Sequence, residues 1–228
     1  MADPTPIVDE FVGSAGPLTG RVLAGGEWKA GTFWPNPPEV GDSFQLSGSG
    51  SVVSPTLAGN DFEPTEVVST SALTLVSLEA TFSWDGSELE DAVFLSIPGV
   101  MNIGINRGTA SSGYEDGQLL VSAGAAPSVS IYRTLDAPGS VTLRGEAEKI
   151  GDSVSYRIYA DDVLVGSGSE EDPTWPGDHP LIYNLGNRAP SALATFAVDR
   201  VVMFAAEGAP TDRPPAFWTN FRRTYEIR

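Results

Sequence analysis

Paired carboxylates are the residues of this sequence that could do the most demanding chemistry, because two acids on one strand face can hydrolyse a glycosidic bond. Two acidic groups approach that arrangement. The segment 88–91 (ELED) directly follows the turn formers Asp85 and Gly86, which favours a solvated loop. Glu146 and Glu148 share a predicted strand face with Arg144, which favours a structural salt-bridged face. Neither group predicts a catalytic pair.

Other catalytic and metal-binding residue types are scarce. The chain has no cysteine and one histidine, His179, in a loop rich in proline and glycine. A histidine without a placed nucleophile and an orienting carboxylate makes no catalytic triad. The acidic segments 161–162 and 170–172 lack the ligand spacing of a calcium loop. We therefore predict a protein that is not an enzyme and that uses no cofactor and no metal ion.

The elements that would position any site are β-strands, because apolar and polar residues alternate with a period of two along much of the chain. From Val76 to Trp84 every even-numbered residue is apolar and every odd-numbered residue is polar. The segments 141–144 and 154–158 repeat the pattern and are predicted to be neighbouring antiparallel strands. Roughly a dozen such segments, with turn formers between them, are typical of a sandwich or barrel. The sequence predicts an all-β fold, an antiparallel β-sandwich.

Length and charge narrow the classes of protein further. The 228 residues are 41% hydrophobic and 19% charged, which suits one large core. The net charge of −17 repels phosphate backbones and anionic headgroups, so we predict no nucleic-acid partner and no membrane insertion. The first ten residues have neither the basic nor the apolar part of a secretory signal. We therefore expect the protein to be made and folded in a cytoplasm.

Two late segments carry a resemblance to a known family. Residues 153–168 read as a strand, a tight turn at Asp161-Asp162 and a short strand. This hairpin resembles the late hairpin of concanavalin A-like jelly rolls, a family that includes legume lectins, laminin G-like modules and some glucanases. Residues 197–204 (AVDRVVMF) are similar to the strand that closes those domains beside their first strand.

The beginning of the chain agrees with this resemblance. The segments 8–11 (VDEF) and 15–20 (AGPLTG), followed by Trp28, resemble the opening of lectin-like domains in minor tail proteins of phages that infect actinobacteria. The abundance of alanine, glycine and proline, with arginine strongly preferred to lysine, fits a GC-rich genome of that kind.

The resemblance implies a fold and a role. The fold would be a concanavalin A-like jelly roll over residues 1–206, with a short non-globular C-terminal extension over 207–228. Glucanases of the family carry an E-x-D-x-x-E strand, whose spacing the segment 88–91 does not match. The implied role is a non-enzymatic virion protein of the phage tail or tail tip, with host cell-wall polysaccharide as a candidate ligand. A capsid decoration or tail-assembly protein without a ligand, and a glycoside hydrolase of the same fold, remain as alternatives.

Aromatic residues in two loops suggest where a glycan would bind, because sugar C–H faces pack on rings while sugar hydroxyls bond planar polar groups. The alternative is that the loop tryptophans fill the rims of the sandwich. The candidate glycan-binding residues are Trp34, Asn36, Tyr114, Trp175 and Asp178.

The C-terminal extension suggests a protein contact, because aromatic and arginine side chains are the usual anchors of interfaces. It would dock on other virion proteins or on another copy, with a trimer as one option, or fold back on its own sandwich. The candidate docking residues are Phe217, Trp218, Phe221, Arg222 and Arg223.

Overall fold

The computed structural model describes residues 5–33, 39–40, 43–53, 58–66, 68–86, 91–107, 118–123, 129–132, 135, 137–171, 180–187 and 196–207. Within these ranges the chain forms β-strands and one 3-10 helix, Thr70–Ala72. The strands are β1 Ile7–Asp9, β2 Gly16–Pro17, β3 Val22–Leu23, β4 Gly26–Ala30, β5 Thr32–Phe33, β6 Glu39–Val40, β7 Gln45–Leu46, β8 Val52–Val53, β9 Gly59–Pro64, β10 Leu73–Trp84, β11 Asp91–Ile97, β12 Met101–Arg107, β13 Gln118–Ala123, β14 Val129–Tyr132, β15 Gly139–Ile150, β16 Ser153–Ala160, β17 Val163–Glu171, β18 Tyr183–Asn187 and β19 Phe196–Glu207.

The strands form two large antiparallel sheets that pack face to face around one hydrophobic core. Sheet 1 has the order β17-β16-β15-β10-β19-β8-β7-β2, and β1 also pairs with β19. Sheet 2 has the order β14-β13-β12-β11-β18-β9-β4-β3, and β5 pairs with β6 beside it. The predicted all-β sandwich is therefore confirmed. In the described part of the chain no helix is long and apolar enough to cross a membrane.

Strong alternation in the sequence corresponds to strands at the centre of sheet 1. Along β10, Val76, Leu78, Ala80 and Phe82 are fully buried against sheet 2, while the residues between them face away from it. β10 lies between β15 and β19, and β15 pairs in turn with β16. The predicted antiparallel neighbours are confirmed.

Both late motifs adopt the predicted conformations. β16 and β17 form a hairpin whose two turn residues, Asp161 and Asp162, have φ of +48° and +67°. Positive φ at both central residues is the geometry of a type I′ turn, which matches the twist of the flanking strands. β19 pairs with β1, with Ile7 opposite Met203. The closing strand thus lies beside the first strand, as predicted.

The opening motif is a structural anchor built on a buried acid. Asp9 is 1% exposed and accepts hydrogen bonds from the Phe11 amide at 2.8 Å and from Trp28 Nε1 at 3.0 Å. The Arg21 guanidinium pairs with the same carboxylate at 2.8 Å. Since every buried polar group of the motif has a partner, the motif joins β1 to β4 without leaving a charge unpaired.

Candidate functional site

Five polar residues, one from each of five neighbouring strands, form a single register row across sheet 2. Adjacent residues of this row are paired across β12, β11, β18, β9 and β4. The residues before and after them on the strands are buried, except Ala30 at the end of β4, so alternation turns the row toward the outside of the sandwich. We call this row the amide row; its members are Asn102, Ser96, Asn184, Asp61 and Lys29.

The amide row is partly bonded within itself. Asn184 Nδ2 donates to Asp61 Oδ1 at 2.7 Å. Asn102 Oδ1 is buried and has no hydrogen-bond partner. The same holds for Nδ2 of Asn106, which lies four residues further along the same face of β12 and is 2% exposed. A buried amide atom without a partner costs about 1–3 kcal/mol. The outer face of sheet 2 therefore holds two buried amide atoms without a hydrogen bond, as the outer face of sheet 1 does at Arg144 Nε.

The next register row is made of glycines and one aromatic residue. Phe94 pairs with Gly104 on one side and with Gly186 on the other, and Gly186 pairs with Gly59. A Cβ added at Gly104 would lie 2.1 Å from Phe94 Cδ1, so the Phe94 ring lies across Gly104. The ring is partly exposed. Sheet 2 thus presents a partly exposed aromatic ring beside the amide row, and the glycines of its register row are buried.

Two acids of β9 on this face have a polar partner. Besides the Asp61–Asn184 bond, Glu63 pairs with Lys29, and the two side chains are 46% and 48% exposed. Their hydrogen bond raises the pKa of Lys29, so that lysine stays charged at neutral pH. Asp61 and Glu63 are two residues apart on one face of β9. With Glu27, which is paired with Glu63 across β4, they are the described carboxylates on this face that a hydrolytic alternative could use.

The outer face of sheet 1 is built differently. Glu146 lies 3.3 Å from Arg144 and 3.8 Å from Arg157, and Glu79 pairs with Arg200. Arg144 is also stacked on the Tyr159 ring at 4.1 Å. The prediction that Glu146 belongs to a structural salt-bridged face is confirmed. In the described part of the chain, no group of three potential ligand side chains could hold a metal ion.

The site residues predicted from sequence lie outside the described residues. Chain order places two of them between β5 and β6, one between β12 and β13, and two between β17 and β18; the docking set follows β19. Of the acidic segment 88–91, Asp91 is described and is the first residue of β11, so it does not belong to a loop. The residues outside the described ranges are Trp34, Asn36, Tyr114, Trp175, Asp178, His179, Phe217, Trp218, Phe221, Arg222 and Arg223.

Sequence reasoning missed the residues of the sheet 2 face because it looked for a ligand only in loops. A signal was present in β12, where Asn102 and Asn106 lie on one face of the strand and Ile103 and Ile105 lie on the other. Asparagine is uncommon within strands. Two of them on the solvent face of one strand would have justified a closer inspection.

No protein-family model matches this sequence. No curated protein matches it either. Among solved structures, the fold is similar to an endo-1,3-beta-glucanase from Streptomyces sioyaensis, with a TM-score of 0.55 and 12% identity over 88% of this chain and 95% of that one. It is also similar to a glycosyl hydrolase family protein from Mycobacterium fortuitum, with a TM-score of 0.50 and 14% identity over 86% of this chain and 98% of that one. At these identities the likeness establishes the fold, a concanavalin A-like β-sandwich, as predicted.

Proposed function

We propose that this protein is a non-enzymatic glycan-binding β-sandwich that holds its ligand on the outer face of sheet 2. The observation that carries the proposal is the partly exposed Phe94 ring beside the partly exposed polar residues Ser96 and Asn184 of the amide row. A ring offers a surface for the C–H face of a sugar, and amides can donate to and accept from sugar hydroxyls. Glycine at position 104 leaves the space that the Phe94 ring occupies over β12.

We place this binding function in a phage virion, as a minor tail or tail-tip protein that contacts other virion proteins and a host cell-wall polysaccharide. The support is the opening motif, which the structure uses to join β1 to β4 through Asp9 and Trp28. Weak contacts with one sugar would be amplified by the copy number in a particle. A capsid decoration or tail-assembly protein with no ligand is the alternative for the same fold.

The test is binding of the full chain to a glycan array and to purified actinobacterial cell-wall polysaccharide. We expect Phe94→Ala to weaken binding at least tenfold, because the aromatic surface is lost. Tyr159→Ala is the matched control, since it removes an aromatic ring from the outer face of sheet 1, and it should leave binding unchanged. Absence of binding to every glycan, or equal loss in both variants, would overturn the glycan-binding proposal and favour a purely structural role.

The hydrolase alternative has its own observation, the position of Asp61 and Glu63 on one face of β9. Release of reducing sugar from the polysaccharide that binds would be measured for the full chain, for Asp61→Asn and for Glu63→Gln. Glu148→Gln, on the other sheet, is the control. We expect no release from any of these proteins. Release that is lost in one sheet 2 variant and kept in the control would make the protein an enzyme.

A further inference from the structure

The two large sheets end in strands of unequal length. Sheet 2 ends at β14, with four residues, and at β3, with two. Sheet 1 ends on one side at β2, which has two residues including Pro17, and on the other side at β17, which has nine. An edge strand offers unpaired backbone groups to a further strand, and short length and proline both limit such pairing. Among the described edges, β17 therefore most needs another form of protection.

β17 is open to solvent. Within the described residues it pairs with β16 alone. Val163 and Leu164 are 64% and 52% exposed, so the strand begins with accessible apolar side chains. Gly168 is exposed as well, and the accessible surface of a glycine is backbone. The edge can therefore be reached by a second protein chain.

The first half of β17 is distorted by a β-bulge. The register of the β16–β17 pair shifts between Ile158 and Tyr159, and Val165 is the extra residue of β17. Val165 packs against the core between the sheets. A bulge bends and twists its strand, so a second strand cannot follow this half of the edge in a regular ladder. The regular part of the edge is limited to residues 166–171.

Within this regular part, Glu170 points toward the inside of the sandwich. It pairs with Val154, which is 3% exposed and belongs to the core, and paired residues lie on the same face of a sheet. Glu170 Oε2 is buried and has no hydrogen bond, although the residue as a whole is partly exposed. An inward-pointing charge is tolerated at an edge because water still reaches it, whereas an added strand would enclose it.

We propose that Glu170 prevents β17 from pairing with β17 of a second copy of this chain. An antiparallel pair with Gly168 opposite Gly168 would continue sheet 1 and keep the inner faces of the two copies on the same side. Both Glu170 side chains would then be enclosed between sheets without a partner, which is costly. The hairpin over residues 151–171 also carries five acids and one base, so two such edges repel each other.

The test is Glu170→Val in the full chain, because valine removes the inward charge and favours a strand. We expect the mass measured by sedimentation equilibrium to rise with concentration above that of the unmodified chain. Glu171→Val is the matched control, since it loses the same charge and gains the same side chain at the next, exposed position, and its mass should stay that of the unmodified chain. An unchanged mass for Glu170→Val, or equal association of both variants, would overturn the proposal.

Hydrogen exchange gives a second measurement, which locates the contact. In the unmodified chain the amides of β17 that face away from β16 should exchange rapidly. In Glu170→Val their exchange should slow at least tenfold as concentration rises, while exchange in β14, at the edge of sheet 2, should stay constant. Cooperative unfolding of each variant would show that the sandwich is intact. Association of Glu170→Val with unchanged exchange in β17 would contradict the proposal.

Discussion

The outer faces of the two sheets carry different polar residues. On sheet 1, Glu146 and Glu79 pair with arginines, and one of these arginines stacks on a tyrosine. On sheet 2, the described polar groups are amides and a serine toward β12 and charged residues toward β4. Each face also holds buried atoms without a hydrogen bond, Asn102 Oδ1 on sheet 2 and Arg144 Nε on sheet 1 among them. The sheet 1 face therefore consists of charges that depend on one another, whereas the sheet 2 face leaves a partly exposed aromatic ring beside neutral polar side chains, which suits contact with an uncharged ligand.

The difference also concerns burial. Glu146 is 4% exposed although it lies on an outer face, so its charge depends on the guanidinium groups beside it. Desolvation of ions is costly, and such a cluster remains favourable only while each charge keeps its partners. Sheet 2 places its described ion pair, Lys29 with Glu63, where both side chains are about half exposed. The two faces should therefore respond differently to the same kind of substitution.

The largest expected effect is on sheet 1. Glu146→Ala leaves two guanidinium groups without their shared carboxylate and should lower the free energy of unfolding by about 3 kcal/mol. Glu148→Ala is the matched control, one row away on the same strand, and should cost far less. Urea denaturation of both variants measures the difference. Equal losses would mean that the cluster is no more than a solvated surface, and the comparison of the two faces would fail.

A smaller effect is expected from the glycine row of sheet 2. In Gly104→Ala the new Cβ would lie 2.1 Å from Phe94 Cδ1 and 2.6 Å from the Val93 carbonyl oxygen. Relief of this overlap should cost about 1–3 kcal/mol and displace the Phe94 ring, so glycan affinity should fall as well. Calorimetry of binding and thermal unfolding measure the two effects.

The control for that variant is on sheet 1. In Gly168→Ala the new Cβ would lie 2.4 Å from the Tyr156 hydroxyl oxygen, at the far end of a side chain next to an edge strand. That ring can tilt away, so stability should fall less and glycan affinity should not change. A larger loss of affinity in Gly168→Ala than in Gly104→Ala would show that the glycine row does not take part in ligand binding.

The sequence predicted secondary structure correctly where the pattern lies in adjacent residues. The alternation in β10 and the Asp161-Asp162 turn are properties of adjacent residues, so both could be predicted. β9, with the sequence GNDFEP, has few residues that favour strands. It is a strand because it pairs with β4 and β18 and because Phe62 packs edge-on against Trp28 at 5.3 Å. Contacts of that kind join distant parts of the chain and leave no local pattern.

The candidate site shows the same limit. Phe94 could be placed on a strand from the sequence, but its importance depends on lying between Gly104 and Gly186. That placement follows from the register of three strands, and a shift of one residue would turn Phe94 toward the core. Likewise the motif containing Asp9 could be recognised as a resemblance, whereas its bonds to Arg21 and Trp28 became visible only in the folded chain.

Alkaline pH should probe the buried side of sheet 2, beneath the amide row. Burial raises the pKa of Tyr183, which precedes Asn184. The unfolded chain ionises this tyrosine near pH 10 while the folded chain keeps its proton, so the stability present below pH 10 decreases as pH rises above it. The decrease should be about 1.4 kcal/mol per pH unit for this one group. Tyr183→Phe should remove that part of the slope, and Tyr159→Phe on sheet 1 should retain it.

The smallest effect is expected at the exposed end of the amide row. Lys29→Met removes the partner of Glu63, and the unfolding midpoint should remain unchanged because exposed ion pairs contribute little to stability. Arg200→Met on sheet 1 is the counterpart, since it removes the nearer of the two arginines beside the more buried Glu79, and it should lower the midpoint. Glycan affinity should be unaffected by either change, because the proposed contacts are an aromatic ring and neutral amides. A fall in affinity for Lys29→Met alone would instead extend the binding face along the row to its charged end, and the ligand would then carry a negative charge.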